Sequence, residues 1–249
     1  MKYKSIFPAL LDIKSDDIPI FIPTFNQPDL LRMTLKQLES YSHGPIIVYD
    51  NNSTYQPMID FLSSIESDVS VVYSSKNTGP RLFTEDEQVL SLMPKNFIVT
   101  DPDLIYNKDL PSKYISEMKN IISKFKLAKI GFALDIDSPE EIERFQDAEK
   151  VKQFEIAYWQ EVIGNTTSND PIYSAYIDTT FSLNDRDACR YHRKFGKPTF
   201  RYPSARIGGR YTCQHVGWWK KDLIPQSKKE QEFYLKNQKW SHTEIYYYR

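Results

Sequence analysis

Phe97-Ile98-Val99-Thr100-Asp101-Pro102-Asp103 is an apolar run that ends on two carboxylates separated by a proline. The β-branched and aromatic residues read as a buried strand, with the acids at its carboxyl end. Side chains on a strand repeat their direction every second residue, so Asp101 and Asp103 face the same way if the chain stays extended. Pro102 favours that geometry, because it fixes its own φ and pushes Asp101 toward β or polyproline conformation. Two hard oxygen donors at the mouth of a sheet suit Mg²⁺ or Mn²⁺ carrying a diphosphate, since Mg²⁺ takes one or two carboxylates plus substrate oxygens. The alternative is an Asp-Pro turn leaving a strand.

Upstream, short β-rich runs alternate with amphipathic segments: Ile18 to Phe25, Leu30 to Tyr41, Ile46 to Tyr49, Pro57 to Ile65 and Val69 to Tyr73. Such alternation predicts βαβ units and an α/β fold with a mainly parallel central sheet. The first of these helices has Pro28 near its start, an apolar stripe at Leu31, Leu35, Leu38 and Tyr41, and Gly44 beyond its end. Downstream, Tyr114 to Phe125 reads as a helix and Ile130 to Leu134 as a strand. A charged helical stretch from Pro139 to about Val162, a loop from Gly164 to Asp170 and a β-like run from Tyr173 to Leu183 complete the sheet and build a second wall. Ligands in open α/β sheets gather beyond the carboxyl ends of strands, where Asp50, Asn77 and Asp101 fall.

A chain of 249 residues, 40% hydrophobic and 14% aromatic, has the material for a substantial core. One domain over 1–249 is expected, with a first half at about 18–107, a second half at about 108–219 and an extension over 220–249. The 32 Lys and Arg against 33 Asp and Glu leave no basic field to hold nucleic acid. Cys189 and Cys213 have no C-x-x-C spacing, and no apolar stretch is long enough to span a membrane, so a cytoplasmic protein without structural disulfides is expected. From Lys220 the chain is rich in Lys, Gln and aromatics and ends Tyr246-Tyr247-Tyr248-Arg249. Packing of this extension against the body is the expectation, and peripheral membrane contact the alternative.

Four ordered motifs between Ile18 and Trp219 carry a resemblance. They are Ile20-Phe21-Ile22-Pro23-Thr24-Phe25-Asn26, Val48-Tyr49-Asp50-Asn51-Asn52-Ser53, Ser75-Lys76-Asn77-Thr78-Gly79-Pro80 and Asp101-Pro102-Asp103. In that order they resemble the nucleotide-sugar glycosyltransferases of the GT-A fold, closest to bacterial family 2-like enzymes of surface-polysaccharide assembly. The resemblance implies a Rossmann-like sheet flanked by helices, a nucleotide-binding half at about 18–107 and an acceptor and catalytic half at about 108–219, and a loop at Pro23, Thr24 and Phe25 that cradles a nucleotide base. It further implies that Asp50 and Asn52 meet the base or ribose, that Asn77, Gly79 and Arg81 lie beside the nucleotide, and that Asp101 and Asp103 form an Asp-x-Asp metal site. The later segment Ala205 to Trp219 looks like the part that closes over the diphosphate. There His215 would be a further ligand to Mn²⁺ or Mg²⁺, and Arg206 and Arg210, flanking Gly208 and Gly209 on a flexible stretch, would neutralise the leaving group. A mixed oxygen and nitrogen set suits Mn²⁺ better than Mg²⁺.

An inverting transfer needs a carboxylate to take the acceptor proton. Asp178 is the first candidate, because it interrupts an apolar run where an unpaired charge is costly. Asp135, Asp137 and Glu155 are the others, with Asp135 and Asp137 equally suited to hold donor or acceptor hydroxyls. No Glu-Asp pair stands where the family places its base. Trp159, Trp218 and Trp219 offer faces for sugars but equally serve as core. The expected partners are a nucleotide-sugar donor and a glycan or lipid-linked acceptor. A catalytically silent nucleotide- or glycan-binding module is the competing reading. A sugar nucleotidyltransferase would share the layout but lacks its Gly-rich opening loop near Phe25. Eight glycines give no G-x-G-x-x-G, P-loop or G-x-S-x-G.

Overall fold

The computed structural model describes residues 6–11, 13–14, 17–41, 43–194 and 202–237. Its strands are β1 (Ile20–Thr24), β2 (Ile46–Asp50), β3 (Ser70–Tyr73), β4 (Asn96–Val99), β5 (Leu104–Tyr106), β6 (Lys129–Phe132), β7 (Val162–Asn165), β8 (Pro171–Ser174), β9 (Ser182–Asp185), β10 (Ser204–Ile207) and β11 (Cys213–His215). The helices are α1 (Ile6–Leu11), α2 (Pro28–Leu38), α3 (Gln56–Ile65), α4 (Leu82–Glu85), α5 (Glu87–Leu92), α6 (Tyr114–Phe125), α7 (Pro139–Arg144), α8 (Ala148–Glu155), α9 (Arg186–Lys194) and α10 (Lys228–Asn237). Among the described residues, nine strands form one sheet in the order β3-β2-β1-β4-β9-β6-β10-β8-β7, and β11 pairs with β5 in a second, two-stranded sheet.

The sheet is parallel from β3 through β4 and mixed beyond, where β9 lies antiparallel between β4 and β6 and β10 runs parallel to β6. The expected α/β architecture, a central sheet flanked by helices, is therefore the observed one. Alternate residues of the central strands feed two separate cores. Ile20, Ile22, Val48 and Ile98 pack with Leu31, Met58, Leu62 and Met118 on one face. Phe21, Ile47, Tyr49, Phe97 and Val99 pack with Phe83, Leu90 and Cys189 on the other. Helices cover both faces, which is why β1 is buried at every position and reads as a continuous apolar run.

Two expectations about the second half need correction. The run from Tyr173 to Leu183 is two strands of the same sheet, β8 and β9, joined by a loop over 175–181. Gly131 makes that loop fit. A Cβ there would overlap the Ile177 side chain and lie 2.8 and 2.9 Å from the carbonyl oxygens of Phe181 and Thr180. The charged stretch after Pro139 is α7, then α8, then a 3₁₀ turn over Ile156–Trp159, and Val162 already belongs to β7. Phe145 is extended (φ −61°, ψ 138°) and ends α7, so apolar periodicity there spans two short helices.

The extension packs on the body as far as it is described. Phe233 of α10 lies 4.7 Å from the Tyr55 ring, Tyr234 meets Phe25 edge-on at 6.5 Å, and the Glu230 carboxylate accepts from the Asp29 backbone N–H at the start of α2. The terminal Tyr246-Tyr247-Tyr248-Arg249 lies outside the described residues. No described helix is long and apolar enough to cross a membrane. Cys189 and Cys213 are buried and free.

Candidate active site

Strands β1, β2, β4, β6 and β10 all end on one edge of the sheet, and antiparallel β9 begins there. That shared direction gathers the loops carrying most of the sequence-predicted residues. At the end of β1, Pro23 and Thr24 are buried and Phe25 half-buried. Asn26 has a left-handed backbone (φ +55°) and accepts through Oδ1 from the N–H groups of Thr54 and Tyr55. Its Nδ2, like Thr24 Oγ1, is buried and has no hydrogen-bond partner among the described residues.

Asp50 ends β2 and is buried. Its carboxylate accepts from the Ser53 N–H, and burial raises its pKa against that donation. Asn52 points away: it is exposed, with φ +65°. The neighbour that turns inward is Asn51, whose Oδ1 accepts from the Thr78 N–H and hydroxyl at 3.1 and 2.9 Å. Asn51 thus ties the loop after β2 to the loop after β3, where Asn77 Oδ1 accepts from Gly79 N–H and Gly79 takes φ +81°. The repeated Asn51-Asn52 concealed which of the pair faces in, since that depends on the turn.

After β4 the chain does not stay extended. Pro102 and Asp103 form a turn into β5, and the Pro102 carbonyl accepts from the buried Thr34 hydroxyl at 2.6 Å. Asp101 and Asp103 nevertheless remain within electrostatic reach of each other. The Asp101 carboxyl is held well above the usual carboxylate range, by burial first and then by Asp103, while a 2.7 Å hydrogen bond from Thr179 and the charge of Arg81 work against that rise. Two acids pressed together in a low dielectric resist joint ionisation.

β11 brings in the imidazole. It pairs antiparallel with β5, setting His215 opposite Leu104, and the Val216 N–H donates to the Asp103 carbonyl at 2.9 Å. His215 Nε2 lies 3.5 Å from Asp103 Oδ2, with its ring 4.7 Å from that of Trp218. Trp218 and Trp219 are buried, and the Trp219 indole donates to Glu141 at 2.7 Å, so both serve packing. Trp159 lies against Tyr173, with centroids 5.1 Å apart. Among the described residues no group of three or more His, Cys, Asp and Glu side chains is placed to hold a metal ion by itself.

The cations are distributed differently from expectation. Arg206 is not on a flexible stretch. It lies within β10, buried, donating to the Tyr176 carbonyl at 2.7 Å and to Glu155 at 2.5 Å, with its guanidinium 4.1 Å from the Tyr158 ring centroid. Strand alternation turns its side chain into the body, where Glu155 supplies the counter-charge. Arg210 is committed to Asp170, Nη2 to Oδ2 at 2.7 Å, and precedes β11 at the end opposite His215. Arg81 is the cation beside the acids. It grips Asp178 in a bidentate pair, Nε donating to Oδ1 at 2.8 Å and Nη2 to Oδ2 at 2.5 Å.

Asp178 lies in the loop after β8 rather than within a strand. Its backbone is fixed by a residue that sequence reasoning missed. Lys129, buried at the head of β6, donates from Nζ to the carbonyls of Ile177 and Asp178 at 2.9 Å each, and burial lowers its pKa. A lysine opening an apolar strand was the available signal. Asp135 spends Oδ1 on the N–H groups of Asp137 and Ser138 in the turn before α7, and Asp137 is exposed.

No protein-family model matches the chain, and no curated protein sequence does either. Among solved structures it is similar to a mycobacterial protein, with TM-score 0.40 and 11% identity over 86% of this chain and 71% of that one. It is similar to HddC from Yersinia pseudotuberculosis, with TM-score 0.46 and 10% identity over 87% of this chain and 99% of that one. It is also similar to GalNAc-T7, solved with UDP, GalNAc and Mn²⁺, with TM-score 0.46 and 11% identity over 94% of this chain and 50% of that one. Likenesses this distant leave the activity to be argued from the residues themselves.

Proposed function

We propose that the chain is a metal-dependent glycosyltransferase that moves a sugar from a nucleoside diphosphate, UDP being the expected one, to a glycan or lipid-linked acceptor. The observation that carries this reading is the meeting of Asp103 and His215, residues 112 apart in sequence, 3.5 Å from each other beside Asp101 at the sheet edge where Asp50 also ends its strand. The donor set fits a divalent ion shared with a ligand rather than caged by protein, because Mg²⁺-type sites need only one or two carboxylates once phosphate oxygens are present. An imidazole beside them inclines the set toward Mn²⁺. Bound there, the ion would supply Lewis-acid neutralisation of the charge that collects on the departing diphosphate.

The chain's own residues take the remaining tasks. Asp50 would accept from a base N–H or ribose hydroxyl, and the buried Thr24 Oγ1 and Asn26 Nδ2 offer further polar atoms to the nucleoside. In the transfer the acceptor oxygen bonds to the anomeric carbon as the bond from that carbon to the diphosphate oxygen breaks, its electron pair leaving with the diphosphate. The acceptor proton passes to Asp178, and a single displacement of this kind inverts the anomeric centre.

Calorimetry with Mn²⁺ and UDP, GDP, CDP and dTDP tests the reading. At least one should bind more tightly with the ion than without it, and Asp103→Ala should lose the ion-dependent part of that affinity while remaining folded. Binding of none of them overturns the proposal.

A further inference from the structure

We infer that Arg81 is a shuttle: in the free protein its fork closes on Asp178, and on donor binding it transfers to the diphosphate, which frees Asp178 to take the acceptor proton. This rests on the glycosyl-transfer reading above. The two residues come from different halves of the chain, Arg81 from the turn into α4 just after Gly79-Pro80, and Asp178 from the loop between β8 and β9. They meet next to the acid pair, since Thr179 donates to Asp101 and the charge of Arg81 is felt at that carboxyl.

Charge balance gives the reason to move. Asp101 and Asp178 both feel the charge of Arg81, Asp103 adds its own negative charge beside Asp101, and the guanidinium sits on Asp178. A divalent ion on a diphosphate would neutralise the inner acids and bring phosphate oxygens within reach of the fork. Arginine's planar donors match phosphate as well as carboxylate. The pair is also easy to open. The side chains of Arg81 and Asp178 are 47% and 32% exposed, so solvent screens what their two-point geometry gains and can replace either partner.

A carboxylate with both oxygens on a guanidinium is poorly placed to accept a proton, so the closed state is idle. When Arg81 leaves, the loop stays, because Lys129 holds the carbonyls of Ile177 and Asp178 from beneath. Only the side-chain partnership changes.

Asp178 therefore competes with the diphosphate for Arg81, which fixes the sign of an experiment. Calorimetry of the wild type, Asp178→Asn, Arg81→Gln and the double variant is run with Mn²⁺ and whichever of UDP, GDP, CDP and dTDP binds, with melting curves to confirm folding and Asp178→Ser as a second substitution. Asp178→Asn should bind about threefold to tenfold tighter than wild type, yet lose turnover. Arg81→Gln should bind more weakly, and Asp178→Asn should have no effect in its background. Affinity that is unchanged or weaker in Asp178→Asn, or an equal gain in both backgrounds, overturns the shuttle while leaving the transferase intact. A wild type that binds none of the diphosphates overturns both.

Discussion

Replacing Arg206 by Met should be among the most damaging single changes available in this chain, although Arg206 reaches no proposed substrate position. Its guanidinium and the Glu155 carboxylate are 4% and 2% exposed, so the pair is out of water. Burial already pushes the Glu155 carboxyl up, and Arg206 is the main influence holding it down. Removing one partner of a buried pair leaves an uncompensated charge, at a cost of about 3–5 kcal/mol. That is a large share of the roughly 5–15 kcal/mol by which a domain is stable. The lost ring contact with Tyr158 and the orphaned Tyr176 carbonyl lie within that figure rather than adding to it. Replacing both partners by Met should cost less than Arg206→Met alone, since no buried charge is then stranded. The deficit should also depend on pH. In Arg206→Met the folded state would keep a proton on Glu155 that the unfolded chain releases above about pH 4.3, so stability falls as pH rises and the deficit shrinks toward pH 5. Urea unfolding of the two single variants and the double variant at pH 5 and 8 reads all of this. A cost below about 1 kcal/mol for Arg206→Met, or simple additivity in the double variant, would refute the argument.

Glu230 gives a second pH test: burial and the neighbouring Asp29 raise its carboxyl to about 8. The folded protein then holds a proton between about pH 4.3 and 8 that the unfolded chain does not, so melting temperature should fall as pH rises across that window, and Glu230→Gln should flatten the fall. Gly131→Ala should destabilise by about 1–3 kcal/mol, because the new methyl overlaps Ile177 and crowds two carbonyls of the 175–181 loop; an unchanged urea midpoint would show that the loop is not clamped there. Lys129→Met should lower melting temperature and weaken the Arg81–Asp178 contact, seen as faster hydrogen exchange over 176–180; protection equal to wild type would mean that the lysine does not hold the loop.

The first half of the chain was legible because its signals are local. Each strand from β1 to β4 is a short apolar run, α2 and α3 each have a proline in the first turn and an apolar stripe, and a parallel sheet sends every carboxyl end to one edge. Asp50, Asn77 and Asp101 could therefore be placed from order alone. The second half was legible only in pieces, because its sheet is completed by strands far apart in sequence: β9 inserts between β4 and β6, and β8 pairs with β10. An apolar run such as Tyr173 to Leu183 carries no mark of the loop at 175–181. Which arginine is buried with its partner and which stays solvent-accessible beside the acids was hidden for the same reason. Arg206, Arg210 and Arg81 look alike in sequence, and only the positions of Glu155, Asp170 and Asp178 distinguish them.

Those three pairings narrow the chemistry of the sheet edge. With Arg206 under Tyr158 and Arg210 on Asp170, the cation among the described residues whose charge reaches Asp101 and whose side chain is still solvent-accessible is Arg81. Asp101 meanwhile is buried and feels the charges of Asp103 and Asp178, which together raise its proton affinity and which a positive charge would relieve. On the proposed reading, a divalent metal at the acid pair and a diphosphate on Arg81 would answer complementary needs of the same few residues. The ion would stabilise carboxylates that burial disfavours, and the phosphate would give the guanidinium a stronger partner than a partly exposed aspartate. Each ligand should therefore raise the affinity for the other, by an equal factor in either order of addition. Titrating Mn²⁺ into the nucleotide-saturated protein and nucleotide into the Mn²⁺-saturated protein measures that factor from both sides. A factor of one would mean that the acid pair and Arg81 do not serve a common ligand.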